Sequence, residues 1–427
     1  MTPEVRGRAP EQPGRPEGPG GQRGTTEVAG TAVDTDVAEP QTARARVTIV
    51  VAGWGKDWGE RRTAVRLVAG ALALSCDVSI VSLDHGGDSI IRPPRKTFDG
   101  IFPVHSAAAT GGSDRIAALA SAALGRRRGD AGIPEIASRQ LLKLRFRVSS
   151  EVHEILAELK PDVVVLAGDE TLWMAEALPV GPDRPRVVVL PLLGTSPILS
   201  SPALGRFTEI ADAIGSFSDH ERRLLEGHHV KQGCLRRLHV ALPVNREAVR
   251  GGLAGTASFG QYVLFISGWP TDEALAGQCP PHEYVRAAVG DVSIAEVRHG
   301  GWVVSEKGRR FDVLWTPSRM NLWRLMARAV ATVDVRPPGP IGREAIESLM
   351  FGTPVVVPSG SVAAEHAAAS NGGLWYGSPG EMLDQVRYIL DHEDARDALG
   401  RSGRLWAEEH HGDTESFVEE ATRLILD

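Results

Sequence analysis

The strongest constraint on this chain is a pattern that returns along it: unbroken β-branched runs, each followed by a glycine-bearing loop and an amphipathic helical stretch. Val47-Thr48-Ile49-Val50-Val51 opens the series. A run with so little polar character cannot keep one face in water, so it reads as a strand buried on both faces, as in a parallel sheet. Gly53-Trp54-Gly55 breaks it. A helical pattern from Glu60 to Leu74 follows, with Val65, Leu67, Val68, Ala71 and Leu72 on one face, and then a second strand over Asp77–Leu83. Helical Glu151–Lys160, strand Asp162–Ala167, helical Trp173–Leu178 and strand Arg186–Leu190 continue the alternation, with strand-like runs at Ile210–Phe217 and Arg237–Leu242. The series restarts with strands at Tyr262–Ser267, Val292–Val297 and Asp312–Trp315, a helix over Leu322–Val330 and a strand over Thr332–Val335. A helix from Gly342 to Phe351 ends at Gly352, suited to the left-handed position after a helix, and Pro354 prevents its continuation before strand Val355–Val357. The remainder, Pro379–Leu426, is helical with breaks expected near Gly403 and Gly412. The alternation argues for two doubly wound α/β domains, 46–245 and 258–427, joined by the polar, Gly-rich PVNREAVRGGLAGTASFG. Residues 1–45 lack aromatics, abound in Pro and Gly, and read as a disordered tail.

Composition removes several function classes. Lys plus Arg is 47 against 54 for Asp plus Glu, a formal charge of -7 that gives no support to nucleic-acid binding. Cys76, Cys234 and Cys279 form no CxxC pair, so neither a disulfide framework nor a zinc ribbon is expected. The histidines and carboxylates show no metal-ligand spacing. The loop after the first strand is not G-x-G-x-x-G, and G-x4-G-K-[ST] is absent, which argues against a nicotinamide enzyme and an NTPase. No apolar run reaches membrane-spanning length and no apolar leader opens the chain, so a cytoplasmic protein is expected. Between Asp84 and Ser149, basic residues such as Arg126-Arg127-Arg128 and Arg139 interleave with Leu141, Leu142, Leu144 and Phe146. That stretch reads either as a solvated helix face over a buried stripe or as a peripheral contact with the inner membrane face or an anionic acceptor.

The most specific stretch is Gly339-Pro340-Ile341-Gly342-Arg343-Glu344-Ala345-Ile346-Glu347-Ser348-Leu349-Met350-Phe351-Gly352-Thr353-Pro354-Val355-Val356. It resembles the signature of the retaining family 4 glycosyltransferases, E-x-F-G-x4-E-A-M-A-x-G-x-P-V-V. Glu365 with Gly372-Gly373 and the closing segment Glu381–Ala421 extend the resemblance. It implies the GT-B fold, with a last helix that crosses back to the N-terminal domain. It also implies transfer of a sugar from a nucleoside diphosphate sugar, a co-substrate with no cofactor beside it. The acceptor would be a sugar, a lipid-linked molecule or a natural product. In physical terms, a tight turn before a helix offers backbone N–H groups and a partial positive charge to a diphosphate. Glu347, one turn in, can accept from ribose hydroxyls, or pair with Arg343 at (i, i+4). The expected donor site is Ile341, Gly342, Arg343 and Glu347, with Arg319, Arg324 and Arg336 as supplementary cations. The expected acceptor or phosphate loop is Gly53, Trp54 and Gly55, with Asp169 at the end of a neighbouring strand.

The departures are equally specific. Gly339 stands where the family carries a first glutamate. Trp269, in the loop after Tyr262–Ser267, replaces an expected arginine, and no lysine follows in range. Pro191-Leu192-Leu193-Gly194 occupies the place of the family's N-terminal histidine. They motivate a second reading: an inactive protein on the same scaffold, a partner of an active transferase.

Overall fold

The computed structural model describes residues 44–52, 60–85, 96–98, 102–109, 150–168, 171, 174, 178, 181–182, 184–193, 208–227, 230, 233–249, 261–267, 292–298, 311–314, 319–336 and 339–427. Residues 1–43 of the expected tail, Gly53, Trp54, Gly55, Asp169, Trp269, most of the basic segment and most of the expected Trp173–Leu178 helix lie outside them.

Among the described residues, two sheets organise the chain. The first has eight strands in the order β3-β4-β2-β1-β5-β6-β7-β8. Its members are β1 (Arg46–Ala52), β2 (Asp77–His85), β3 (Lys96–Phe98), β4 (Pro103–Ala109), β5 (Val163–Ala167), β6 (Arg186–Leu190), β7 (Ala213–Ser216) and β8 (Leu235–Arg237). Every pairing is parallel except that of β3 with β4. The second has six parallel strands in the order β11-β10-β9-β12-β13-β14, from β9 (Tyr262–Ser267), β10 (Ser293–Arg298), β11 (Phe311–Leu314), β12 (Ala331–Asp334), β13 (Val355–Pro358) and β14 (Gly373–Tyr376). This is the doubly wound order, which reverses between β9 and β12. Ligands of such sheets bind beyond the carboxyl ends of the strands at that reversal.

The helices follow from the same burial pattern. They are α1 (Glu60–Leu72), α2 (150–159), α3 (Asp219–Glu226), α4 (Arg246–Val249), α5 (Arg319–Met326), α6 (Arg343–Met350), α7 (Val362–Ser370), α8 (Pro379–Asp391), α9 (Glu393–His411) and α10 (Thr414–Leu426). In α1 the buried residues Ala64, Val65, Val68, Ala69, Ala71 and Leu72 form one face, as the 3.6-residue period requires. The continuous runs of β1, β5 and β6 are buried on both faces of the sheet. The last helix returns from the second sheet's side and packs on α1, β5 and β7, burying Phe417, Ala421, Leu424 and Ile425. That is the crossing the resemblance implies. Among the described residues, no helix is long and apolar enough to cross a membrane.

Four sequence expectations are corrected. The first break in the C-terminal helices falls at His392, and α9 runs unbroken through Gly400 and Gly403 before ending at Gly412. Both internal glycines are buried, and a methyl at Gly403 would overlap the Cα of Gly372 and the side chain of Leu349. They serve close packing and do not break the helix. The strand expected at Arg237–Leu242 is Leu235–Arg237, because after Leu238, whose N–H still bonds the Ser216 carbonyl of β7, the chain leaves the sheet and bonds α9 through Leu242 N–H to the His411 carbonyl. Within Ile210–Phe217 only Ala213–Ser216 pairs as strand, with a helical turn at 208–210 before it. Strands β3 and β4 fall inside the basic segment, where the sequence carries no clear strand pattern; β4 forms by extending the edge of β2.

Candidate functional site

The site is built on the head of α6. Gly342 precedes it at φ 66° and ψ 39°, a left-handed conformation that costs glycine little, and a methyl there would press on the backbone of Ala363. The helix therefore begins at Arg343, one residue later than expected. Its far end is a Schellman motif: Thr353 N–H bonds the Ser348 carbonyl at 3.1 Å and Gly352 N–H, at φ 76°, bonds the Leu349 carbonyl at 2.8 Å.

Gly342 has no side chain with which to cap the helix. A carboxylate from the first half of the chain does so instead. Glu60, the first residue of α1, accepts from Ile341 N–H at 3.0 Å, Gly342 N–H at 2.9 Å and Arg343 N–H at 3.2 Å. Three consecutive amides converging on one carboxylate form a backbone nest for negative charge. The turn is held from behind by His366 on α7, whose Nε2 lies 2.7 Å from the Ile341 carbonyl.

Around the nest lies a buried ionic network. Arg336, just past the end of β12 at the sheet's reversal, donates to Asp334 at 2.6 Å and to Glu344 at 2.6 Å, and its guanidinium lies 3.7 Å from Glu60. Arg319, at the start of α5, donates to Glu344 at 2.7 Å and to Glu347 at 2.9 Å. Arg343 donates to Glu347 at 2.8 Å and to Thr63 of α1 at 2.9 Å. Glu347 is fully buried.

The protonation states follow from this crowding. Burial works against the charged form of Glu344, but Arg336 and then Arg319 outweigh it and hold the carboxyl well below the usual range. Burial likewise opposes the charge on Arg336, and Asp334 and Glu344 more than restore it. Glu60 is pushed up to about 7, first by burial and then by the nearby Glu344 charge. The surroundings thus support the charge of Glu344 and oppose that of Glu60.

Of the predicted donor residues, Ile341, Gly342, Arg343, Glu347, Arg319 and Arg336 converge. Arg324 differs: its described bond runs to Asn321 of its own helix at 3.4 Å. The (i, i+4) pair of Glu347 with Arg343 exists, and Arg319 shares the same carboxylate. Gly53, Trp54, Gly55 and Asp169 fall outside the described residues. Sequence reasoning missed Glu60, Asp334 and Glu344. Glu344 lies inside the helix signature, and its spacing to Arg336 gives no sign that the two meet 2.6 Å apart in the interior. Asp334 closes a buried strand, where a carboxylate calls for a cation nearby, and Arg336 two residues on supplies it. Glu60 lies 281 residues from Ile341, and no spacing rule joins them.

A second buried carboxylate sits in the first half. Glu221 of α3 accepts from Leu193 N–H at 2.8 Å and Phe217 N–H at 2.8 Å, fixing the turn at Leu192, which has φ 52°. Burial pushes Glu221 up to about 7 against these bonds.

No family model matches the chain, and no curated protein matches it in sequence. Solved structures do match in shape. Sucrose-phosphate synthase from Thermosynechococcus elongatus superposes with a TM-score of 0.63 at 14% identity, over 89% of this chain and 98% of that one. α,α-Trehalose 6-phosphate synthase from Burkholderia multivorans gives 0.63 at 13%, over 90% and 99%. Anabaena Alr3699/HepE in complex with UDP and glucose gives 0.57 at 14%, over 89% and 99%. At such identities the likeness speaks to architecture, and the architecture is the GT-B fold of glycosyltransferases, over most of the chain.

Proposed function

We propose that the protein is a glycosyltransferase that moves a sugar from a nucleoside diphosphate sugar to an acceptor. The observation that carries this reading is the anion nest at the head of α6. It lies at the reversal of a doubly wound sheet, beside Arg336 and Arg343, in a GT-B fold. A diphosphate needs such convergent N–H donors and forked cations, and its departure with the bonding electrons is what they stabilise. Arg319 stands behind them, sharing Glu344 and Glu347.

In this reading Glu347 turns from one of its arginine partners to the ribose hydroxyls. Gly53, Trp54, Gly55 and Asp169, which follow β1 and β5 in the chain, serve the acceptor side. Attack by the acceptor hydroxyl on the face that the diphosphate leaves retains the anomeric configuration, as the family 4 resemblance implies. The Anabaena neighbour holds UDP, which makes uridine the first base to try.

The test is a thermal-shift panel of UDP, GDP, ADP, TDP and their glucose conjugates. Wild type is compared with Arg343→Ala, a partly exposed residue whose removal spares the buried Glu344–Arg336 pair. One nucleotide is expected to raise the wild-type Tm and to lose that effect in the variant. No shift with any nucleotide, in a folded protein, counts against the reading.

A further inference from the structure

We propose that the Glu60 carboxylate is a built-in occupant of the phosphate-binding turn, an autoinhibitory contact between the two halves of the chain that an anionic ligand must displace. The inference rests on the donor-site reading above, and its geometry is independent of which nucleotide binds.

Three observations converge on it. The three N–H groups of Ile341, Gly342 and Arg343 all end on this one carboxylate, so none remains for a phosphate while Glu60 is seated. The cations are committed as well: Arg336 to Asp334 and Glu344, Arg319 to Glu344 and Glu347, and Arg343 to Glu347. A diphosphate approaching this arrangement meets carboxylates already holding the guanidiniums. Finally, Gly339 is the residue whose absent side chain makes room. A methyl on Gly339 would overlap the Glu60 carboxylate, its Oε2 first. The atom overlapped is the far end of a flexible side chain, so a larger residue at 339 and a seated Glu60 exclude one another. The glycine is thus part of the device, and its substitution expels Glu60 while leaving the glutamate itself in the chain.

The groups facing Glu60 show why it can leave. Glu344 of α6 and Asp334 of β12 repel its charge, and Arg336 attracts it across 3.7 Å. Its side chain is 9% exposed, at the first turn of α1. Burial and the Glu344 charge together raise its pKa to about 7, so the surroundings disfavour the charge of the seated carboxylate.

The experiment titrates UDP and, separately, inorganic pyrophosphate into wild type, Glu60→Ala and Glu60→Gln by calorimetry at pH 8. Circular dichroism checks that each is folded. If the turn is unoccupied no more than about a tenth of the time in wild type, freeing it tightens apparent binding roughly tenfold or more. Both variants are expected to show that gain, and Arg343→Ala added to either is expected to abolish it. Should Glu60→Ala fold poorly, Glu60→Gln carries the test, since it keeps the size of the side chain and removes the competing charge. UDP binding that is equal or weaker in the variants, with wild type binding well, overturns the contact and leaves the donor reading standing. Pyrophosphate tightening without any nucleotide binding upholds the contact and sinks the sugar-nucleotide reading. Binding of neither anion to any of the three proteins sinks both.

Discussion

Glu347 illustrates how burial changes what a single residue means. On a surface helix, its spacing to Arg343 is worth about 0.2–0.5 kcal/mol. Here the carboxylate is fully buried and bridges Arg319 and Arg343, whose side chains are each only 20% exposed. Removing one member of a buried ion set leaves the rest uncompensated, at a cost of about 3–5 kcal/mol. Glu347→Ala is therefore expected to lower urea-unfolding stability by that order, and a loss under about 1 kcal/mol would show that the arginines find water or other partners. Glu221 gives a pH signature. Its folded pKa, raised to about 7, lies above the ordinary carboxyl value, so the folded state binds the extra proton between them. Its stability contribution is full below about pH 4.5 and is lost as pH rises through 7. The Tm of wild type minus that of Glu221→Gln is expected to fall across that window, and a flat difference from about pH 5 to pH 8 would contradict it.

At the scale of elements, the packing of α9 on α6 depends on glycines. A methyl on Gly400 would overlap the carbonyl of Gly352, and one on Gly403 would overlap Gly372 Cα and Leu349. In an exposed helix interior, Gly→Ala gains about 1 kcal/mol. At Gly403 the added carbon meets the Leu349 side chain of α6 and the backbone of Gly372, between α7 and β14, and overpacking costs about 1–3 kcal/mol. Gly403→Ala is expected to destabilise on balance, measured as a lower urea midpoint. A rise would mean that the two helices separate readily. The same glycines explain the misplaced break: a mid-helix glycine reads as a helix end in sequence, and only the neighbouring helix shows why it is tolerated.

At the scale of the whole molecule, further ties join the halves beside the Glu60 contact, and two of them carry predictions. The first is α10, whose Phe417, Ala421, Leu424 and Ile425 are buried on the first sheet's side, with Arg186 donating to the Ile425 carbonyl at 3.1 Å. At about 1.5–3 kcal/mol for each large apolar side chain, Phe417, Leu424 and Ile425 together rival the net stability of a typical domain. Deletion of residues 414–427 is expected to abolish cooperative unfolding of the first half, followed by hydrogen exchange of β1 and β5. Native protection there would rule this out. The second tie is a pair of buried imidazoles, His366 and His411, packed edge to face at 5.2 Å. His366 bonds the Ile341 carbonyl of the site turn and His411 the Val240 carbonyl beyond β8, at 2.7 Å each. Burial lowers them to about 4 and about 3. Such depressed groups contribute stability that is present above about pH 6.5 and lost as pH falls toward 4. His411→Gln is expected to flatten the acid limb of the Tm profile, and an unchanged limb would show that other groups govern it.

Local physics alone determined much of this protein. The β-branched runs dictated buried parallel strands, Gly352 and Pro354 dictated the end of α6, and the helix signature brought Ile341, Gly342, Arg343 and Glu347 together, because periodicity and turn chemistry act within a few residues. The partners of those residues were decided only by the tertiary structure. Burial turned a row of ordinary arginines and glutamates into one ionic network. The fold also carried Glu60 across 281 positions to the amide of Ile341 and 282 to that of Gly342, since which charges share a low-dielectric interior is a property of how the sheets and helices pack.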